Sequence, residues 1–209
     1  MSYAPEDAAW DEAYENMSRE LYPEHKALAI LDFTYERLRS FYVANPEVLV
    51  PAVRNFNQAK VLLNEQHYAP ALVFAASATE LFLKGSLLRP VVFGLVHSES
   101  LAELVVSAAL AQTGFKRYEK LLAGMFLEIT SAEITSLIRP NGSKPLLEEA
   151  SQLQERRNAV VHRGEGASAN DAEQAVGVAA AVLDQLLSTV LYYLGLSMEE
   201  GGHLVDHQG

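Results

Sequence analysis

Cysteine is absent from this chain, which excludes disulfide frameworks, thiol nucleophiles and cysteine-ligated metal centres without fixing the compartment. Proline is sparse, eight in 209 residues, and no repeat or low-complexity tract interrupts the sequence. Positive charge is also in short supply. Sixteen Lys and Arg stand against 27 Asp and Glu, a formal net charge of −11 whose general field repels phosphate and argues against indiscriminate nucleic-acid binding. A dedicated site can still be locally basic.

Several motifs are missing as well. Neither GxGxxG nor GxxxxGK[ST] occurs, so no nucleotide-binding loop is indicated. Without HExxH or a doubled ExxH, no metal site is expected. Ser98 and Ser100 flank Glu99 after His97, but nothing there resembles a nucleophile elbow. No cofactor is implied. The longest apolar stretch, AVGVAAAVLDQLLSTVLYYLGL from Ala175 to Leu196, is interrupted by Asp184 and Gln185 and reads as a buried helix, so no membrane partner is expected. The opening MSYAPEDAAWDEAYENMSRE is acidic and has no secretory signal, which makes the cytoplasm the expected location.

What remains is a composition suited to a packed soluble core, 49% hydrophobic and 21% charged. Helical periodicity dominates. A short helix is expected over Asp7–Glu20, then one over HKALAILDFTYERLRSFYVANP with Leu28, Leu31, Tyr35, Leu38 and Tyr42 in phase, ending at Asn45-Pro46. The next runs from Pro46 or Val48 to about Glu65 along the stripe Val53, Phe56, Ala59, Lys60 and Leu63. A third, Pro70 to Leu88, is apolar almost all round and should be central. One or two helices over residues 99–127, bent near Thr113-Gly114, and a short one at 131–139 precede a turn at Pro140-Asn141-Gly142-Ser143. Pro145–His162 forms a further helix stopped by Gly164 and Gly166, and Ser168 with Asp171 makes a capping box for the last. No period-two strand is evident, and GGHLVDHQG reads as a flexible tail over 201–209. The expectation is an all-α chain: an N-terminal helical extension over residues 1–45 and a single helical bundle over 46–200.

One basic knot stands out, QLQERRNAVVHRGEG at residues 152–166. The plainer explanation is that Arg156, Arg157, His162 and Arg163 complement the negative end of a helix dipole. A helix-turn-helix role fits badly, because the same helix begins with Glu148 and Glu149. Geometry allows a sharper reading. Asn158 and His162 lie four apart on one face, whereas Arg157 and His162 are roughly 140° apart around the axis. They converge on one target only where the helix ends, or where a two-fold mate supplies a second copy and builds a basic cleft. Such a cleft suits RNA, which carries its own 2′-hydroxyl nucleophile. Histidine handles the proton and a guanidinium holds the non-bridging oxygens, with no metal required. The helix C-terminus favours protonated His162, as a general acid or electrostatic partner. Upstream, Glu80 and Lys84 lie one turn apart in SATELFLKGSL. They form either a simple helical pair, or a set in which Glu80 orients Arg157 or Asn158 while Lys84 adds charge to the cleft.

RNAVVH at residues 157–162, with ATELFLK upstream and a glycine stop downstream, resembles the signature of the HEPN superfamily, helical domains of many prokaryotic toxin, abortive-infection and CRISPR-associated ribonucleases. The stretch HYAPALVFAASATELFLK is similar to that family's earlier core helix, whose Glu-x-x-x-Lys pair falls on Glu80 and Lys84. The resemblance covers about residues 48–195. It implies a HEPN-type bundle, a homodimer and metal-independent RNA cleavage in defence or stress, with Arg157, Asn158 and His162 catalytic, Glu80 and Lys84 in the cleft or behind it, and Arg156 and Arg163 as RNA-backbone contacts. An antitoxin or regulatory protein is an implied partner. The tyrosine that some toxin members carry after the histidine is missing, since Arg163, Gly164 and Glu165 follow instead. The resemblance also admits a non-enzymatic HEPN-like module that binds a protein or nucleic acid. Outside it stands a helical structural protein whose knot is only a helix end.

Overall fold

The computed structural model describes residues 35–90 and 119–207, and the chain divides into two compact units, Met1–Arg37 and Leu38–Gly209. Of the first unit only residues 35–37 are described, and they are helical. The expected helices at 7–20 and over most of 99–127 lie outside the described residues, as does the His97–Ser100 segment.

In the second unit, residues 38–44 form α1. Its Leu38 and Tyr42, four apart, are buried as the periodicity requires. Proline in the first turn suits α2, Val50–Asn64, because that turn has no intrahelical use for its N–H. Helix α3, Tyr68–Glu80, continues as a π-wound stretch, Leu81–Leu88. Glu119–Thr130 forms α4, Leu146–Arg163 forms α5, and Ala169–Tyr193 forms α6, which is π-wound over Val182–Leu187.

The core sits around α3, whose neighbours are α2, α5 and α6. Its inner face, Ala71, Ala75 and Ala78, is fully buried, and α6 answers with Ala172, Ala175 and Ala179. Small side chains at these spacings let the two axes approach closely. Phe56 of α2 meets Phe82 edge-on at 6.4 Å, fixing α2 against the π-wound stretch. The buried Tyr42 hydroxyl donates to the Ser86 carbonyl of that stretch, and burial pushes the phenol far above its ordinary range. Helix α6 is long and apolar enough to cross a membrane, but 56% of its apolar window is buried inside this fold.

The mostly helical expectation holds, with differences in detail. Residues 131–139 are bends and turns rather than a short helix. The turn at Pro140-Asn141 is present, with the Gly142 amide donating to the Arg139 carbonyl at 2.9 Å and Asn141 at φ 62°. Arg139 is buried there. It donates to Glu149 of α5 at 2.7 Å and to Gln174 of α6, tying the turn to both helices. The chain also has strands. Leu196–Met198 (β1) pairs antiparallel with Leu204–Asp206 (β2), Ser197 opposite Val205, so part of the expected flexible tail is a hairpin. Three-residue strands are too short to print an alternating pattern on the sequence. This hairpin is held instead by long-range contacts: Leu204 N–H to the Pro46 carbonyl at 2.9 Å, and Arg39 to both Asp206 oxygens at 2.6 and 2.8 Å.

Candidate functional site

Helix α5 is built to deliver a basic end. Its first turn carries Glu148 and Glu149 and its last turn His162 and Arg163, the order that complements the helix dipole at both ends. Leu146, Leu147, Ala150 and Leu153 bury its first half against the bundle. Further along, Arg157 is only half-buried, while Asn158, Val161 and His162 are exposed. The helix therefore enters the core apolar and leaves it polar, and a groove opens between it and α3.

That groove, with an empty volume of about 360 Å³ partly open to solvent, is walled by Ala76, Leu83 and Ala150. Glu80, Lys84 and Arg157 line it together, with Thr79 and Gln154. Three of the residues singled out in the sequence, from segments more than 70 positions apart, thus share one concavity. Lys84 Nζ donates to Glu80 Oε1 at 2.6 Å, the lysine side chain 14% exposed and the glutamate 41%. Arg157 Nη1 donates to Asn158 Oδ1 at 3.0 Å. Asn158 is thus the arginine's hydrogen-bond partner, and Glu80 pairs with Lys84. His162 lies one turn beyond Asn158, exposed and outside the groove lining.

Arg156 and Arg163 are engaged elsewhere. The chain reverses at Gly164 in the left-handed conformation, φ 67°, where the amides of Gly164 and Glu165 both donate to the Ala159 carbonyl. The reversal returns Glu165 to the helix end. Arg156 Nη1 donates to Glu165 Oε2 at 2.7 Å and Arg163 Nε to Glu165 Oε1 at 2.8 Å. These bonds, the Arg163 one first, hold the Glu165 carboxyl below its usual range. Arg156 Nη2 reaches the Gly166 carbonyl at 2.8 Å and Asp171 Oδ2 at 3.3 Å. Asp171 is the N3 member of the capping box that opens α6, with its Oδ2 accepting from Ser168 N–H at 2.9 Å and Ser168 Oγ accepting from its amide at 3.2 Å. The expected capping box is present.

Glu165 at the helix end, and Thr79 and Gln154 in the groove lining, are polar residues that sequence reasoning passed over. For Glu165 the signal was available: an acid two residues past Arg163, across a glycine that folds the chain back. Thr79 carried none, being one hydroxyl in an apolar helix. Among the described residues no group of three His, Asp or Glu stands together as a metal-ligand set. Chemically, the helix end offers a guanidinium bonded to Asn158, an exposed imidazole one turn beyond that asparagine and a lysine-bearing groove beside the guanidinium. Comparison with family models, with curated proteins and with solved structures yields no match.

Proposed function

We propose that this chain is a metal-independent endoribonuclease of HEPN type, acting in the cytoplasm as a homodimer in defence or stress response. The observation that carries the proposal is the sharing of one groove by Arg157, Glu80 and Lys84, with Asn158 holding Arg157 and His162 exposed one turn further on. In this reading two α5 helices meet across a two-fold axis and pair the two basic ends. The 2′-oxygen of the RNA bonds to the adjacent phosphorus and the bond from phosphorus to the 5′-oxygen breaks. His162 supplies a proton to the leaving oxygen, water carries off the 2′-hydroxyl proton, and each of the two sites takes its Arg157 from one chain and its His162 from the other. Arg157 stabilises the charge gathering on the non-bridging oxygens, and Asn158 fixes its fork. Lys84 adds positive potential to the groove, and Glu80 holds the lysine in place.

A second reading, a HEPN-like module that binds a protein or nucleic acid without cutting it, draws support from the net charge of −11 and from the intramolecular acids already on Arg156 and Arg163. One experiment separates the two. Purified protein is incubated with single-stranded and structured RNA in EDTA beside His162→Ala and Arg157→Ala. The nuclease reading expects cutting by the wild type that falls on the order of 10²–10⁴-fold in either variant. Equal cutting by all three identifies a contaminant and rejects the reading. An intact wild-type dimer that binds RNA and leaves it whole gives the answer to the binding module.

A further inference from the structure

Two guanidiniums closing on one carboxylate make an arrangement that a phosphate also fits. Each oxygen of Glu165 takes one N–H, from Arg156 at 2.7 Å and from Arg163 at 2.8 Å, as two non-bridging oxygens of a phosphodiester would. The two arginines are not equivalent. Arg156 is anchored by its other terminal nitrogen to the Gly166 carbonyl and Asp171, so it keeps its direction whether or not Glu165 is there. Arg163 is more open, its side chain 66% exposed, and it extends from the last turn of α5. Glu165 itself sits on a loop between Gly164 and Gly166 and is exposed. An anchored donor, an exposed donor and an exposed acid between them have the makings of a gate.

We propose that Glu165 is a built-in competitor for a backbone phosphate, filling the fork of Arg156 and Arg163 until RNA displaces it. This inference rests on the RNA reading above and adds regulation to it. It reconciles the acidic chain with a basic site: weakly held anions are refused, and only a polyanion that engages several points at once gains enough to replace the internal acid. The exchange costs the protein little, because exposed ion pairs of this kind are individually weak and easily traded. It also fixes where the strand runs, past the C-terminal end of α5 toward the start of α6.

The test is RNA affinity and its salt dependence, measured by anisotropy of a labelled single-stranded RNA with His162→Ala protein so that nothing is cut. Into that background go Glu165→Gln and, as a control for the lost charge alone, Glu155→Gln, an exposed acid on α5. Glu165→Gln is expected to tighten binding about five- to tenfold at moderate salt and to steepen the slope of log K against log salt by about one, since freed arginines release more counterions. Glu155→Gln is expected to change affinity no more than about twofold. Equal shifts in the two variants, no shift in either, or no RNA binding by any of them overturns the inference. Cleavage by the wild type is scored separately. Its absence alongside the expected affinity shift removes the nuclease reading and leaves the gate, whereas active cleavage with no Glu165 effect does the reverse.

Discussion

At the scale of single residues, the helix end is governed by who holds each charge. Of the four cationic groups expected there, Arg157 turns to Asn158, Arg156 and Arg163 share Glu165, and His162 points to solvent. The sequence made these residue types legible but not their pairing, because which acid reaches which base depends on a chain reversal set by one left-handed glycine. Asp171 shows the same dependence. Its carboxyl is held below the ordinary carboxylate range, first by the Ser168 amide, then by the Ser168 hydroxyl and Arg156. A carboxyl whose folded pKa is depressed stabilises above its unfolded value, about 3.9, and loses that contribution as pH falls through the folded value. Asp171→Asn keeps an acceptor and removes the charge. It should therefore cost about 0.5–1 kcal/mol at pH 7, and the gap to wild type should close as the pH drops below 3.9 toward the folded value and past it. Urea titrations at pH 7 and in that acid range check this. A gap of the same size at both would show that the charge is not what the cap uses.

At the scale of elements, periodicity located helices well wherever one face is apolar and a proline or glycine marks the end. Helix α5 was expected over Pro145–His162 and runs Leu146–Arg163; the capped start of the last helix was also readable. Winding was not. The stretch LFLKGSLL is apolar on nearly every side, so a wider helical turn leaves no trace in the pattern, and Leu81–Leu88 was expected to be ordinary α-helix. The hairpin was invisible for a different reason: its strands are three residues each, and what holds them lies about 160 positions away in sequence at Arg39 and Pro46. Gly202 makes that docking possible. At φ 93° it sits where an added Cβ would come within 2.9 Å of Val53 Cγ2 and 3.1 Å of the Leu49 backbone. Gly202→Ala should cost about 1–3 kcal/mol through overpacking and a disfavoured backbone angle. It should also raise the exchange rate of the Leu204 amide, which bonds to Pro46, more than that of amides in α3. Uniformly faster exchange would mean that the hairpin is no separate unit, and unchanged stability would mean that the docking contributes nothing.

At the scale of the whole molecule, one question decides how the basic ends act: whether a working site is made within one chain or between two. Along α5 the Arg157 and His162 side chains leave the axis roughly 140° apart, so one copy does not aim both at a single phosphate. Arg157 lies in the groove with Glu80 and Lys84 while His162 stands outside it, so the proposed chemistry requires a site composed across a two-fold axis. A composite site has a signature that no single variant shows. Arg157→Ala and His162→Ala homodimers each lack one half of both sites and should be inactive. When the two are mixed and allowed to exchange, a heterodimer carries one site with neither group and one site with both. Half of the dimers are then heterodimers with one good site of two, so activity should return to about a quarter of wild type. A site built within one chain predicts a different result, because each chain in the mixture remains broken whatever its partner, and the mixture stays as inactive as its components. Sedimentation of the same mixture shows whether a dimer is present to exchange. Recovery in a dimer that exchanges places the chemistry at the interface, and a strict monomer at assay concentration removes the paired cleft altogether.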